Sequence, residues 1–390
     1  MKKRIMFLAQ SPGGVERYIQ MLLKYLNKDL FEIIFVASYD FNEENYNGIV
    51  NKFININMCR EINFTTDLKG VISIRKLIKE YKPDILYMHS SKAGALGRIA
   101  NIGIKNKVIY NPHGWAFCME CSNVKKIIYR FIERILSKST DVIIAISECE
   151  KNRAIANKIC KSDKIKVILN GIDIQGYDKN YITNNIDREK LGIPKNAYVI
   201  GVVGRICENK APEIFIKAAA IIKESIPEAF FILVGDGPDR AKIEYLIKKL
   251  SLEKCTIITG WTDEPFKYIN CFDQGMLLTR WEGFGLVLTE YMIANVPVIA
   301  TNIDSIPELI KNEVNGLLVK VNDIEGTAKA SIRIYEDNKL RSFIVKNGNR
   351  VVREKFDVKR KVNQHESLFI NNNGGVKSAE DFSNNGCIQL

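Results

Sequence analysis

The sequence predicts an α/β protein made of two doubly wound, parallel-sheet domains facing across a cleft. Three observations predict it. Short apolar runs alternate with helical stretches, the alternation stops in a polar segment and then starts again, and glycine-bearing turns sit where several runs give way to helices.

The first run, KRIMFLAQ (residues 3–10), reads as a buried strand; SPGG (11–14) follows as a turn. VERYIQMLLKYL (15–26) then repeats apolar positions at helical spacing. Next come a strand FEIIFVAS, a helix LKGVISIRKLIKEY, a strand PDILYMHS, a helix KAGALGRIANIG, a strand KVIYNPHG, a long helix NVKKIIYRFIERILSK and a strand DVIIAIS. A polar stretch around GYDKNYITNNIDREKLGIPKNA marks the join. The pattern resumes with AYVIGVVGRI, a helix from Pro212, AFFILVGDG, PDRAKIEYLIKKL, CTIITGW, CFDQGMLLT, a further helix and VPVIAT. The expected domains are 1–183 and 184–356, with a helix over 357–370 that crosses back and a polar, disordered tail over 371–390. In such sheets ligands bind beyond the carboxyl ends of the strands.

With 390 residues, 46% hydrophobic and 26% charged, the chain can bury a large core. It contains no run near the ~18 apolar residues of a membrane span. The start, MKKRIMFLAQSPGG, lacks a signal-peptide core and cleavage site, so a cytoplasmic protein is expected, peripheral on the inner membrane face at most. Nine cysteines in no paired pattern suit a reducing compartment. Cys118 and Cys121 form a lone C-x-x-C, with no second pair to close a zinc site. The net charge of +12 favours polyanions, phosphorylated ligands or anionic lipid. A nucleic-acid partner is not expected, because no basic tract with interleaved aromatics and no reading motif is present.

RWEGFGLVLTE (280–290) carries the sharpest chemical pattern. A strand ends before Arg280, a loop runs to Gly283, and a helix is expected from Phe284 or Gly285 to Ala294, with its leading amides free to meet an anion. Glu282 precedes that helix and Glu290 lies within it, so both carboxylates can flank a phosphate and accept hydroxyl hydrogen bonds. The plainer reading is a helix-starting Glu282 and a solvated or salt-bridged Glu290. In GVVGRICENK, Arg205 and Lys210 follow a strand and precede the helix at Pro212, where two cations can neutralise a pyrophosphate. No D-x-D pair occurs, so cations and helix termini would take the place of a metal clamp. Gly13 and Gly14 stand between the first strand and helix, where backbone can meet phosphate or acceptor. His113, in NPHGW, stands at a strand end as a substrate contact or a hydrogen-bonded structural histidine. His89 has a similar position with less support, and His365 is assigned to the surface.

Together GGVERY, NPHG, AISE, VILNGID, GVVGR with Lys210, LVGDGP, TGW, EGFGLVLTE and VPVIAT resemble the retaining glycosyltransferases of family 4, of GT-B fold. The match runs in order to about residue 370. The resemblance implies that Arg205 and Lys210 bind the donor diphosphate. It implies that Glu282 and the amides of Gly283, Phe284, Gly285 and Leu286 hold the transferred sugar and phosphate, and that Glu290 holds the ribose. His113 would contact the sugar near the reacting centre, Gly14 would shape the phosphate-facing loop, and the backbone near Thr262 would meet the base. It implies a UDP-sugar donor, no metal, retained configuration, and a glycan or lipid-linked acceptor in cell-surface polysaccharide assembly. The rival readings are a UDP-sugar epimerase of the same architecture and a non-enzymatic basic protein binding nucleic acid or membrane.

Three positions depart from the family pattern: Ala211 and Asn295 stand for frequent glycines, and Asp304-Ser305 for a frequent Gly-Gly before IPEL. The last leaves the donor sugar open. In residues 124–138, Lys125, Lys126, Arg130, Arg134 and Lys138 surround an apolar stripe of Ile127, Ile128, Phe131, Ile132, Ile135 and Leu136. Such a helix either packs its stripe on the sheet with a solvated basic face or lies on anionic lipid.

Overall fold

The computed structural model describes residues 1–10, 12–59, 61–119, 121–181, 186 and 188–371. They form two compact units. Residues 1–146, 150–169 and the stretch from Lys359 make the first; 147–149 and 170–358 make the second. The expected boundary at 183/184 lies outside the described residues, and 170–181 group with the second unit. The expected tail, beyond Asn371, also lies outside them.

The first unit holds a seven-stranded parallel sheet. Its strands are β1 (Lys3–Ala9), β2 (Phe31–Ser38), β3 (Lys52–Ile56), β4 (Ile85–His89), β5 (Lys107–Asn111), β6 (Val142–Ala145) and β7 (Ile165–Val167), in the order β3-β2-β1-β4-β5-β6-β7. The helices between them are α1 (Gly14–Tyr25), α2 (Phe64–Tyr81), α3 (Ser91–Ala100), α4 (Asn123–Leu136) and α5 (Glu148–Ala156). Helices cover the sheet, so the central strands read as unbroken apolar runs rather than alternating ones. Met6, Leu8, Ile34, Val36, Leu86, Met88 and Ile143 all lie in its buried core.

The second unit holds six parallel strands: β8 (Tyr198–Val203), β9 (Ala229–Val234), β10 (Thr256–Ile258), β11 (Gln274–Leu277), β12 (Val298–Thr301) and β13 (Leu317–Val319), ordered β10-β9-β8-β11-β12-β13. Its helices are α6 (Ile174–Tyr181), α7 (Pro212–Ser225), α8 (Arg240–Lys249), α9 (Pro265–Ile269), α10 (Leu286–Ile293), α11 (Ile306–Leu309), α12 (Ile324–Glu336) and α13 (Asn338–Lys355). Strand order reverses between β1 and β4 and between β8 and β11, the switch points at which doubly wound sheets open toward ligands.

The last helix, α14 (Val358–Ile370), belongs to the first unit from Lys359 onward. Phe369 packs edge-on against Phe7 and Phe31 at centroid distances of 6.5 and 5.7 Å. Lys361 and His365 are buried with it, at 2% and 0% exposure. The surface assignment of His365 is therefore corrected: it is a core residue, because both its ring nitrogens find partners inside.

The structure also decides how α4 lies. Ile127, Ile128, Phe131 and Ile135 are 59%, 46%, 61% and 48% exposed, so most of the apolar stripe faces outward and the packed-stripe reading does not hold. Its inward face carries Glu133, whose Oε2 accepts from Arg98 Nη2 at 2.9 Å while Oε1 accepts from the Tyr110 hydroxyl at 2.9 Å. Arg98 also donates through Nε to the Gly94 carbonyl at 2.8 Å and stacks its guanidinium over the Tyr110 ring at 4.0 Å. A buried ion pair, with Leu136 beside it, holds the helix and leaves its greasy side out.

Candidate active site

In the second unit the candidate residues gather at the carboxyl end of the sheet, where the loops after β8 and β11 meet. The Arg280 N–H donates to the Asn209 carbonyl at 2.8 Å, and the Thr279 hydroxyl donates to the same oxygen at 2.8 Å. Lys210 Nζ donates to Glu282 Oε2 at 2.5 Å, and both side chains are mostly shielded. The lysine stem runs past the end of β8, its Cε 3.8 Å from where a Cβ on Gly204 would lie. Arg205 is exposed, and its guanidinium has no protein partner among the described residues. Gly235 must be glycine: its φ is +142° and a Cβ there would lie 2.1 Å from the Gly204 carbonyl oxygen.

Helix α10 begins one residue later than expected because Gly285 sits at φ +83°, outside the helical region. No side chain caps it. The leading amides of such a helix have no intrahelical acceptor. Phe284 is buried against Phe356, with centroids 5.8 Å apart, so it anchors the loop and offers only its backbone. Tyr291, one residue past Glu290, accepts the Val203 N–H at 2.9 Å, pinning α10 over the end of β8. Glu290 is 2% exposed, not solvated. Thr262 follows β10 and accepts the Glu264 N–H at 3.1 Å through its hydroxyl; the Gly235–Gly260 bridge ties that strand end to the loop after β9.

All three departures from the family pattern occupy left-handed backbone: Ala211 at φ +47°, Asn295 at +58° and Asp304 at +52°. Glycine would take these conformations without strain, and asparagine and aspartate tolerate them. Asp304 also does something glycine cannot, since its Oδ2 accepts the Glu282 N–H at 2.8 Å. Sequence reasoning marked the position and missed that bond.

In the first unit, Gly13 lies at φ +86° and caps α1, which Gly14 opens. His113, at φ +54°, follows β5 and lies edge-on to the Tyr18 ring of α1 at 4.6 Å. Its Nε2 is 2.9 Å from His89 Nδ1. His365 Nε2 faces the Tyr18 and Tyr87 hydroxyls at 2.9 and 3.1 Å, and its Nδ1 faces the Lys361 carbonyl at 2.8 Å. Burial, with Lys361 and His365 adding to it, lowers the His113 pKa to about 3. Burial, then His113, His365 and Lys361, holds His89 well below the ordinary histidine range. Both rings are neutral at physiological pH. Glu150, which the sequence reading missed, accepts the Gly114 and Ile146 N–H groups at 2.6 Å each and so fixes the histidine loop. Its trace in the sequence was the acid-rich ECE directly after the strand DVIIAIS.

Cys118 and Cys121 precede α4 and are both partly buried. Among the described residues no group of three or more His, Cys, Asp or Glu is placed to hold a metal ion, and no helix is long and apolar enough to cross a membrane.

Two doubly wound parallel-sheet units, the second with an uncapped helix start near a lysine–glutamate pair, define the class of protein, a two-unit Rossmann-like fold, and comparison with known proteins agrees. Residues 12–175 match the model of Glycosyltransferase Family 4, and residues 183–351 match that of Glycosyl transferases group 1. The chain is 30% identical over 363 residues to the Escherichia coli UDP-Gal:alpha-D-GlcNAc-diphosphoundecaprenol alpha-1,3-galactosyltransferase, covering 92% of this chain and 94% of that one. It is 27% identical over 356 residues to the Staphylococcus aureus capsular polysaccharide biosynthesis glycosyltransferase CapM, covering 89% and 92%. Among solved structures, Anabaena HepE in complex with UDP and glucose superposes with a TM-score of 0.79 at 22% identity, over 95% of this chain and 100% of that one. The chain belongs to the family 4, group 1 glycosyltransferases of GT-B fold.

Proposed function

We propose that the protein is a retaining glycosyltransferase that moves a hexosyl or N-acetylhexosaminyl group from a UDP-sugar to a lipid-linked or glycan acceptor in cell-surface polysaccharide assembly. The observation that carries this is the Lys210–Glu282 pair beside the start of α10, with Arg205, which has no partner among the described residues, on the same loop as Lys210. Arg205 and Lys210 take the donor diphosphate together with the amides of Gly283, Phe284, Gly285 and Leu286. Glu282 accepts from hydroxyls of the transferred sugar, Glu290 from the ribose, and the backbone at Thr262 meets the base. In the first unit, His113 contacts the sugar near the reacting centre, and Gly13 and Gly14 shape the loop whose backbone meets phosphate or acceptor. Likeness to the E. coli relative supports a UDP-sugar donor and a diphosphate-lipid acceptor.

The acceptor hydroxyl attacks the anomeric carbon on the face that the nucleotide leaves. The bond from that carbon to the phosphate oxygen breaks, and a departing phosphate oxygen takes the acceptor's proton. A neutral His113 with a pKa near 3 is unsuited to receive it, which supports this route. With cations at the diphosphate, no divalent metal is needed. UDP-sugars should raise the thermal midpoint more than GDP-sugars. With acceptor present, UDP release should survive chelators and yield an α-linked product from an α-donor. Full dependence on added metal, or interconversion of the donor sugar without acceptor, would overturn the reading.

The exposed stripe of α4 supports peripheral contact with an anionic membrane. Residues 61–138 hold 14 Lys or Arg against 6 Asp or Glu, a net +8 of the chain's +12. Exposed apolar side chains set among these charges suit an anionic bilayer surface. The protein should float with phosphatidylglycerol vesicles and much less with phosphatidylcholine ones. Phe131→Ser with Ile135→Ser should lower the bound fraction several-fold while leaving solution activity on a short water-soluble acceptor unchanged. Equal flotation of wild type and the double variant would reject α4 as the contact.

A further inference from the structure

We propose that His89 is a positioning residue that fixes the tautomer of His113, so that His113 presents its ligand with an N–H donor at Nδ1 and not a lone pair. The functional half of this rests on the reading of His113 as a substrate contact; the tautomer itself does not.

His89 is fully buried at the end of β4, its ring enclosed by aromatic neighbours. Its ring lies nearly parallel to Phe7 at 5.7 Å, against Tyr87 at 4.1 Å and Tyr18 at 5.8 Å. Its Nδ1 lies 2.9 Å from His113 Nε2, while its own Nε2 is buried with no hydrogen-bond partner among the described residues. A neutral imidazole has one proton for two nitrogens. Placed on Nε2, that proton would be a buried donor with no acceptor, the rarer and costlier kind of orphan. Placed on Nδ1, it is donated to His113 and only a lone pair goes unused. A doubly protonated His89 is opposed by burial and by the neighbouring Lys361 and His365. His89 is therefore the donor and His113 Nε2 the acceptor.

His113 is neutral as well, so its single proton must sit on Nδ1. No protein group bonds to that nitrogen among the described residues, and the residue is only partly buried. The backbone beneath it is fixed at both sides: the His113 N–H donates to Asn111 Oδ1 at 3.0 Å, and the Gly114 N–H to Glu150 Oε1 at 2.6 Å. A histidine side chain in water prefers its proton on Nε2; this environment reverses that preference and leaves an N–H at Nδ1 for a ligand. The partner it suits is an oxygen lone pair, such as a sugar hydroxyl oxygen, rather than a hydroxyl proton awaiting a base.

The chain's three histidines make the test direct. Protein labelled with 15N-histidine reports each ring's tautomer through its two nitrogen shifts, with His113→Asn and His365→Gln variants giving the assignment. Wild-type His113 should carry its proton on Nδ1 at neutral pH. It should keep it there in His89→Asn, whose amide nitrogen can stand in for Nδ1, and lose it to Nε2 in His89→Phe. Wild-type His113 protonated on Nε2 overturns the proposal without needing any variant to fold. In turnover, His89→Phe should lower kcat about tenfold, the scale of one well-placed hydrogen bond, and His89→Asn should restore it; a His89→Phe enzyme as fast as wild type also overturns the positioning role. An Nδ1–H tautomer combined with an unimpaired His113→Ala enzyme would instead reject His113 as a substrate contact and leave the tautomer assignment standing.

Discussion

Lys210→Ala should lower kcat by about a hundred- to a thousandfold, the usual cost of removing one preorganised charge from a developing anion. Two effects act in the same direction. The departing diphosphate loses a cation, and Glu282, now bonded to Lys210 at 2.5 Å, is left as an unpaired carboxylate beside it. The fold should survive, because both side chains, though mostly shielded, keep some solvent access at 25% and 15% and stand on loops at the sheet's end rather than in its core. A thermal midpoint close to wild type would therefore accompany the loss. Lys210→Arg should recover only part of the rate, since a planar fork does not reproduce a compact ammonium held by one carboxylate oxygen. Single-turnover measurements at saturating donor separate the chemical step from binding. A kcat within threefold of wild type for Lys210→Ala would remove Lys210 from the reaction.

That the second-unit candidate residues come together was legible because they lie on two local stretches. Arg205, Lys210 and Pro212 fall within one strand-to-helix loop, and Glu282 to Glu290 within another; strand alternation alone puts both loops at the same end of a parallel sheet. Even the three departures from the family pattern were readable as positions, and the backbone explains why glycine suits them, since Ala211, Asn295 and Asp304 each occupy left-handed space. The Asp304 bond to the Glu282 amide was not readable, because it joins loops 22 residues apart through a side chain that the usual Gly-Gly lacks.

The first unit was harder for a physical reason. The sequence assigns His365 to the surface because a histidine near a chain end ordinarily means solvent. Its partners, Tyr18 and Tyr87, are 347 and 278 residues away, and nothing local announces them. The same holds for Lys361, whose Nζ lies 3.5 Å from the Tyr18 ring centroid and donates to the Tyr18 carbonyl at 3.2 Å. For α4, helical periodicity identified the two faces but not which one turns inward. Amphipathicity fixes orientation only when the apolar face is the buried one, and here a long-range ion pair decides otherwise.

That ion pair is the basis of the largest stability effect expected. Glu133→Ala should cost about 3–5 kcal/mol, because it strands the Arg98 guanidinium, which has no exposed surface at all. Glu133 also accepts the Tyr110 hydroxyl, a proton that burial and then the Glu133 carboxylate keep in place by raising the Tyr110 pKa well above its ordinary value. Removing the carboxylate thus orphans two buried donors at once. Arg98 already has one buried nitrogen, Nη1, without a partner, so the site has little spare capacity to compensate. Replacing both charges, as Arg98→Met with Glu133→Leu, should recover most of the loss, because it exchanges a desolvated pair for apolar packing. Urea unfolding followed by circular dichroism measures both variants against wild type. If Glu133→Ala loses under 1 kcal/mol, or the double variant is no more stable than the single, the pair does not hold α4. The outcome also bears on membrane contact. A loosened α4 could turn its apolar stripe inward, so Glu133→Ala should reduce vesicle flotation although no outward-facing residue has changed.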